Sequence, residues 1–102
     1  MSEHDFSPLF ESYHSIIVRM PDEFSSHQFI LRLAQEKQTE YVEALYSYRH
    51  AQRQGTPTPF LIVHGVLAQH LCNLPRLVTK IGQVDSTDIF GQTNGCALWR
   101  KA

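Results

Sequence analysis

Apolar and polar positions along this chain fall into blocks whose period changes from one to the next. Ser7-Pro8 places a proline at the first position of a short helix with Leu9, Phe10 and Tyr13 on its apolar side. The β-branched run Ser15-Ile16-Ile17-Val18-Arg19-Met20, stopped by Pro21, predicts a short strand. The next start signal is the clearest. Ser25 and Gln28 fit a capping box, in which the serine oxygen accepts from an orphan backbone N–H and the glutamine reaches back. Phe24 and Phe29 fit the hydrophobic staple that accompanies it. Beyond them Ile30, Leu33, Ala34, Tyr41, Ala44, Leu45 and Tyr48 lie on one helical stripe, interrupted by Lys37. Neither Gly nor Pro occurs between Ser25 and Gln54, so the pattern predicts one helix of about seven turns reaching the Arg49–Arg53 region. A break in the polar patch Gln35–Glu40 is the alternative.

Gly55-Thr56-Pro57-Thr58 reads as a loop, and Thr58-Pro59 opens the next helix, which runs to about Cys72 or Asn73. Its apolar set, Ile62, Val63, Val66, Leu67 and Leu71, recurs at helical spacing, and Phe60, Leu61 and Ala68 widen the stripe toward burial on most sides. Gly65 in its middle costs about 1 kcal/mol against alanine, for which the usual compensation is close approach by another helix. After Pro75, Leu77–Ile81 reads as a strand, Gly82–Thr87 as a loop and Asp88–Thr93 as a strand again. Asn94-Gly95 is a strong two-residue hairpin signal, both positions taking positive φ. That turn sets Thr93 opposite Cys96, Gly91 opposite Leu98 and Phe90 opposite Trp99, an aromatic cross-strand pair.

Length and composition bound the fold. The 102 residues make one domain spanning 1–102, with the polar residues 1–6 frayed. A chain of this size buries roughly 65% of its unfolded surface, so it needs no metal or disulfide staple. Hydrophobic residues at 42% and charged residues at 19% give a globular balance and exclude a disordered chain. Two cysteines, Cys72 and Cys96, cannot form a disulfide framework; without a signal-like N-terminus they predict reduced thiols in a cytoplasmic protein. Phe60–Val63 is the longest apolar run, far short of the ~20 residues that span a bilayer, so no membrane partner is expected.

The net charge of −1 is unevenly spread. Residues 1–50 hold four basic and eight acidic side chains, residues 51–102 five basic and two acidic, which leaves the C-terminal half positive. The predicted order is helix, short strand, long helix, helix, strand, strand. That order resembles the winged helix-turn-helix superfamily from about Ser7 to Lys101. The fold expected is therefore α+β and winged-helix-like, with about three helices and a small antiparallel sheet ending in a C-terminal β-hairpin. The resemblance implies that helix 59–72 is the recognition helix and that the Gly82–Thr87 or Asn94-Gly95 turn is the wing. In the superfamily the helix enters the major groove and the wing touches phosphates or the minor groove.

One departure from the superfamily matters. Helix 59–72 contains no Lys or Arg; its polar groups are His64, Gln69 and His70, with Asn73 just beyond. Gln69 and Asn73, four apart, share a face and are both capable of bidentate adenine contacts. Phosphate anchoring falls to Arg76, Lys80, Arg100 and Lys101, with Arg49 and Arg53 as further candidates. The nucleic-acid-binding set is thus Gln69, Asn73, Arg76, Lys80, Arg100 and Lys101. Two classes of partner stay open: double-stranded DNA, for a transcription-regulatory module, and a protein partner or second copy, for an interaction or dimerisation domain.

Enzymatic chemistry finds no foothold. The chain has no phosphate loop, nucleophile elbow or metal-ligand spacing, so no catalytic residue, cofactor, metal or small-molecule substrate is expected. His64, His70 and Cys72 diverge around a helix at about 100° per residue and do not converge as ligands four apart would. His64, inside an apolar run, reads as a core histidine with a hydrogen bond. Cys96 reads as a small hydrophobe, and Asp85, Ser86 and Asp88 as turn chemistry. Phe90, Trp99, Tyr46 and Tyr48 read as packing side chains rather than a stacking platform, because basic and aromatic residues interleave only at Trp99-Arg100-Lys101.

Overall fold

A computed structural model describes residues 4–50, 58–89 and 91–102. The chain is α+β. Its elements are α1 (Ser7–Phe10), α2 (Tyr13–Arg19), β1 (Glu23–Ser25), α3 (Ser26–Glu36), α4 (Gln38–Ser47), α5 (Thr58–Leu71), β2 (Val78–Thr87) and β3 (Thr93–Lys101). The three strands form one antiparallel sheet in the order β1-β3-β2. The core lies between this sheet and the helices, around Leu9, Tyr13, Ile16, Phe24, Phe29, Leu33, Val63, Leu67, Leu71 and Trp99.

The predicted strand Ser15–Met20 is instead most of α2. Tyr13, Ile16, Ile17 and Met20 are buried while Val18 is 60% exposed. That i, i+3, i+4, i+7 set is helical in period, and burial of one face outweighs the strand preference of β-branched residues. Met20 is already extended (φ −77°, ψ 159°), as the residue before a proline should be.

The capping box forms as expected. Ser25 Oγ accepts from the Gln28 N–H at 3.1 Å, and the Ser25 N–H donates to Gln28 Oε1 at 2.8 Å. Phe24 and Phe29 stack at 6.1 Å between ring centroids, completing the staple. The long helix does not form. It breaks at Lys37 (φ −124°, ψ 55°) into α3 and α4, inside the polar patch that was the alternative. The break re-aims the second half, so that Phe29, Ile30 and Leu33 reach the central core while Tyr41 and Ala44 close against α1 and α5. Residues 51–53, in the predicted end of that helix, lie outside the described residues.

The hairpin differs most from expectation. Gly82–Thr87 is strand, not loop, and Asp88, Ile89, Gly91 and Gln92 lie between the strands rather than in one. Asn94-Gly95 sits inside β3, Asn94 opposite Ser86 and Gly95 opposite Asp85. Thr93 therefore faces Thr87, Cys96 faces Val84, and Leu98 faces Gly82 and Ser25. Trp99 pairs with Phe24 and Lys80; Phe90 lies outside the described residues. Asp88 decides the outcome. Its carboxylate accepts from the Gln92 N–H at 3.0 Å and from Asn94 Nδ2 at 3.1 Å, and its own N–H donates to the Gln92 carbonyl at 2.8 Å. Gly91, at φ +82°, supplies the left-handed residue, a conformation that strains any side chain-bearing residue. A one-residue irregularity at Ile81, between Lys80 and Gly82, kinks β2.

Candidate recognition surface

Helix α5 is held by its inner side. Val63, Leu67 and Leu71 are fully buried, and the Tyr13 hydroxyl donates to the Leu67 carbonyl at 2.6 Å. Burial pushes the Tyr13 phenol far above its ordinary pKa, so it stays a neutral donor. His70 stacks on Phe10 at 3.6 Å between ring centroids, tying the end of α5 to α1. Tyr41 of α4 and His64 Nε2 are hydrogen-bonded at 2.5 Å, which confirms His64 as a half-buried, partnered histidine. Burial holds the His64 pKa below the usual histidine value, with Asp88 opposing that shift and His27 adding to it; Tyr41 is pushed up to about 12 by burial.

The outward side of α5 has no packing partner among the described residues. Leu61, Gly65, Gln69 and Cys72, spaced four, four and three apart, fall on one exposed stripe, with Leu61 52% exposed. A hollow lies on each side of this stripe. One, of about 600 Å³, runs between α5 and Phe10 of α1, past Ile62, Val66 and Asn73. The other, of about 670 Å³, runs between α5, the start of α3 and the hairpin, past Phe60, Ala68, Ile30 and Trp99, with Lys80 and Asn94 at its margin. Leu61, Gly65 and Gln69 line both, so Gly65 is the low point of the ridge between them. His27 Nδ1, beside the second hollow, is buried and has no hydrogen-bond partner among the described residues.

The six residues proposed as a nucleic-acid-binding set separate. Gln69 and Asn73 share the first hollow, and Gln69 and Lys80 the second. Arg76 is exposed in the turn between α5 and β2. Lys80 pairs with Trp99, whereas Arg100, the next residue along β3, projects to the opposite face of the sheet. There it forms an ion pair with Glu23 at 3.0 Å. Lys101 donates through Nζ to the Val18 carbonyl at the end of α2. Arg76 and Lys80 are thus the two cations of the set that carry no ion pair or hydrogen bond from their side chains among the described residues.

Sequence reasoning did not find the Tyr41–His64 or Phe10–His70 contacts, which join residues far apart in the chain and leave no local signature. It also missed a second exposed apolar patch on α4, where Val42 (59% exposed) and Tyr46 (62%) lie four apart and Arg49 stacks 3.8 Å over the Tyr46 ring. Among the described residues no three His, Cys, Asp or Glu side chains come together as a metal site, and no helix is long and apolar enough to cross a membrane. No protein-family model matches this chain, and no curated protein or solved structure shows significant similarity to it.

Proposed function

We propose that this chain is a recognition module with a winged-helix arrangement, that its contact face is the outward side of α5 with the adjoining hairpin, and that this face takes a protein partner. The arrangement is supported by the β1-β3-β2 sheet order and by α5 leading directly into the β2–β3 hairpin. In this reading the link between β2 and β3 is the wing.

One observation carries the choice of partner: α5 has no Lys, Arg, Asp or Glu along its length, and its exposed stripe is uncharged. Affinity for duplex DNA rests on phosphate neutralisation and its counterion release. Of the six candidate residues only Arg76 and Lys80 hold cations not already engaged among the described residues, which supplies little of that. A helix without charged side chains, with an exposed leucine and two flanking hollows, suits the apolar centre of a protein interface instead.

Duplex DNA is the second reading, favoured by Gln69 and Asn73 sharing one side of α5 and one hollow. In it the chain is a transcription-regulatory module, with those amides at base edges and Arg76 and Lys80 on phosphates. Fluorescence anisotropy with random duplex DNA at ~50 mM and then ~200 mM salt separates the two. The protein-partner reading expects no binding at the lower salt. Binding that is tight there, collapses at the higher salt and weakens in Arg76→Gln and Lys80→Gln would replace it with the DNA reading.

A further inference from the structure

We propose that the hollow between α5, the start of α3 and the hairpin binds a small aromatic anion, with its charge at Lys80 and its rings between α5 and Trp99. The proposal does not rest on the reading of α5 as a protein-binding face. The hollow has a volume of about 670 Å³, inside the roughly 300–1,000 Å³ of small-molecule sites. Small residues stand on both of its walls, Gly65 and Ala68 on α5 and Gly95 and Ala97 on β3. The close approach of another helix expected at Gly65 is not found among the described residues, where a Cβ would meet nothing within 4 Å. Ile30, Phe60 and Trp99 supply the apolar and aromatic surface that a planar ring system packs against.

Charge around the hollow selects the sign of the ligand. Lys80 carries no ion pair or hydrogen bond from its side chain among the described residues. It is the cross-strand partner of Trp99, so the lysine and the indole share one face of the sheet. His27 Nδ1, on the same hollow, is buried and has no hydrogen-bond partner among the described residues, a polar group that the chain itself leaves unused. Its neighbour Ser26 accepts from Trp99 Nε1 at 2.9 Å, which brings His27 to the Trp99 side. His64, on the α5 wall, is engaged by Tyr41. The one carboxylate on the hollow among the described residues is Asp88, which lies beyond the last residue of β2 and accepts from the Gln92 N–H and Asn94 Nδ2. An anion is repelled from that end and attracted to Lys80. An apolar body with one negative group therefore uses both the aromatic surface and the free cation.

Titration of the full chain with anilinonaphthalene sulfonate tests the proposal, with phenylnaphthylamine, the same rings without the sulfonate, as the neutral comparison. The sulfonate probe is expected to bind saturably at one site and to quench the emission of Trp99, the single tryptophan, by energy transfer. Lys80→Gln should weaken the sulfonate probe by about fivefold, the upper end for an exposed ion pair, and leave the neutral probe unchanged. Arg76→Gln, outside the hollow, should change neither. Ala68→Phe and Ala97→Leu, which fill the hollow from opposite walls, should each abolish binding of both probes while the near-UV circular dichroism stays that of the wild type. Absence of saturable binding to the wild type overturns the proposal, as does binding that persists in a folded filled variant. Equal weakening by Lys80→Gln and Arg76→Gln overturns it too, by showing attraction to surface charge in general. The protein-partner reading stands or falls separately, on salt-sensitive duplex binding.

Discussion

Replacing Gly65 by alanine should stabilise the folded chain, and the size of the effect follows from its surroundings. Gly65 has helical neighbours on both sides, lacks a positive φ and has open space where the methyl would go. No clash opposes the change, and the methyl stays in solvent, so burial adds nothing. What remains is the difference in helix propensity, about 0.8–1.0 kcal/mol, much of it the reduced freedom of the unfolded chain. Unfolding entropy near 2.1 cal/mol/K per residue over 102 residues comes to roughly 0.2 kcal/mol/K, so the midpoint should rise by about 4–5 °C. Urea unfolding followed by circular dichroism, in dilute solution so that self-association does not enter, measures it directly. An unchanged or lowered stability would refute the reasoning, because it would mean that the missing side chain serves the fold itself.

Two further substitutions and one titration test the rest. Ser25→Ala removes the oxygen that caps α3 and lies 3.2 Å from Ser86 Oγ, at a residue only 3% exposed. It should lower stability by about 1–2 kcal/mol, and Ser25→Thr by less; a loss under about 0.5 kcal/mol in the alanine variant would show that the box does not hold the start of α3. His64 and His70 both have pKa values lowered by burial, so on acidification the unfolded chain takes up their protons first. Their contribution is complete above the ordinary histidine value of 6.5 and is lost as the pH falls through their lowered folded values. The urea midpoint should therefore decline below about pH 6.5, and His64→Gln should make that decline shallower, leaving the share of His70. The carboxylate of Glu36, held low by its hydrogen bonds to Arg19 and Arg32, acts in the same direction only at more acid pH. A midpoint independent of pH between about 7.5 and 5 would contradict the lowered pKa values of these two partly buried histidines.

The reading of α5 shows how far local pattern reaches into function. Its position, its proline start and its lack of charge were all legible in the residues, and they brought the surface into view. The cations assigned beside it were not so legible. Arg100 and Lys101 are neighbours in sequence, yet alternation along β3 sends one to Glu23 and the other to the end of α2. Net charge in a half-chain cannot reveal which cations are already engaged. Nor could the composition of α5 reveal that Gly65 separates two hollows, since their walls come from Phe10, Ile30 and Trp99.

What the sequence determined by itself were the features carried by contiguous residues. The capping box at Ser25 and Gln28, the staple of Phe24 and Phe29, the proline starts of α1 and α5 and the α+β class depend on bonds within a few positions. What the tertiary structure decided were the choices between locally equivalent alternatives. Ser15–Met20 satisfied a strand by propensity and a helix by period, and burial of Ile16, Ile17 and Met20 against the core selected the helix. The stripe from Ile30 to Tyr48 suited one helix as well as two, and only the positions of α1 and α5 required the break at Lys37. The local signal put the hairpin turn at Asn94-Gly95 and read the segment around Gly91 as strand. The pairing of Trp99 with Phe24 and the hydrogen bonds of Asp88 accompany a turn before Thr93 instead, with Asn94-Gly95 inside β3. In each case the local energies of the alternatives lie close together, and the apolar surface removed from water on packing is the larger quantity.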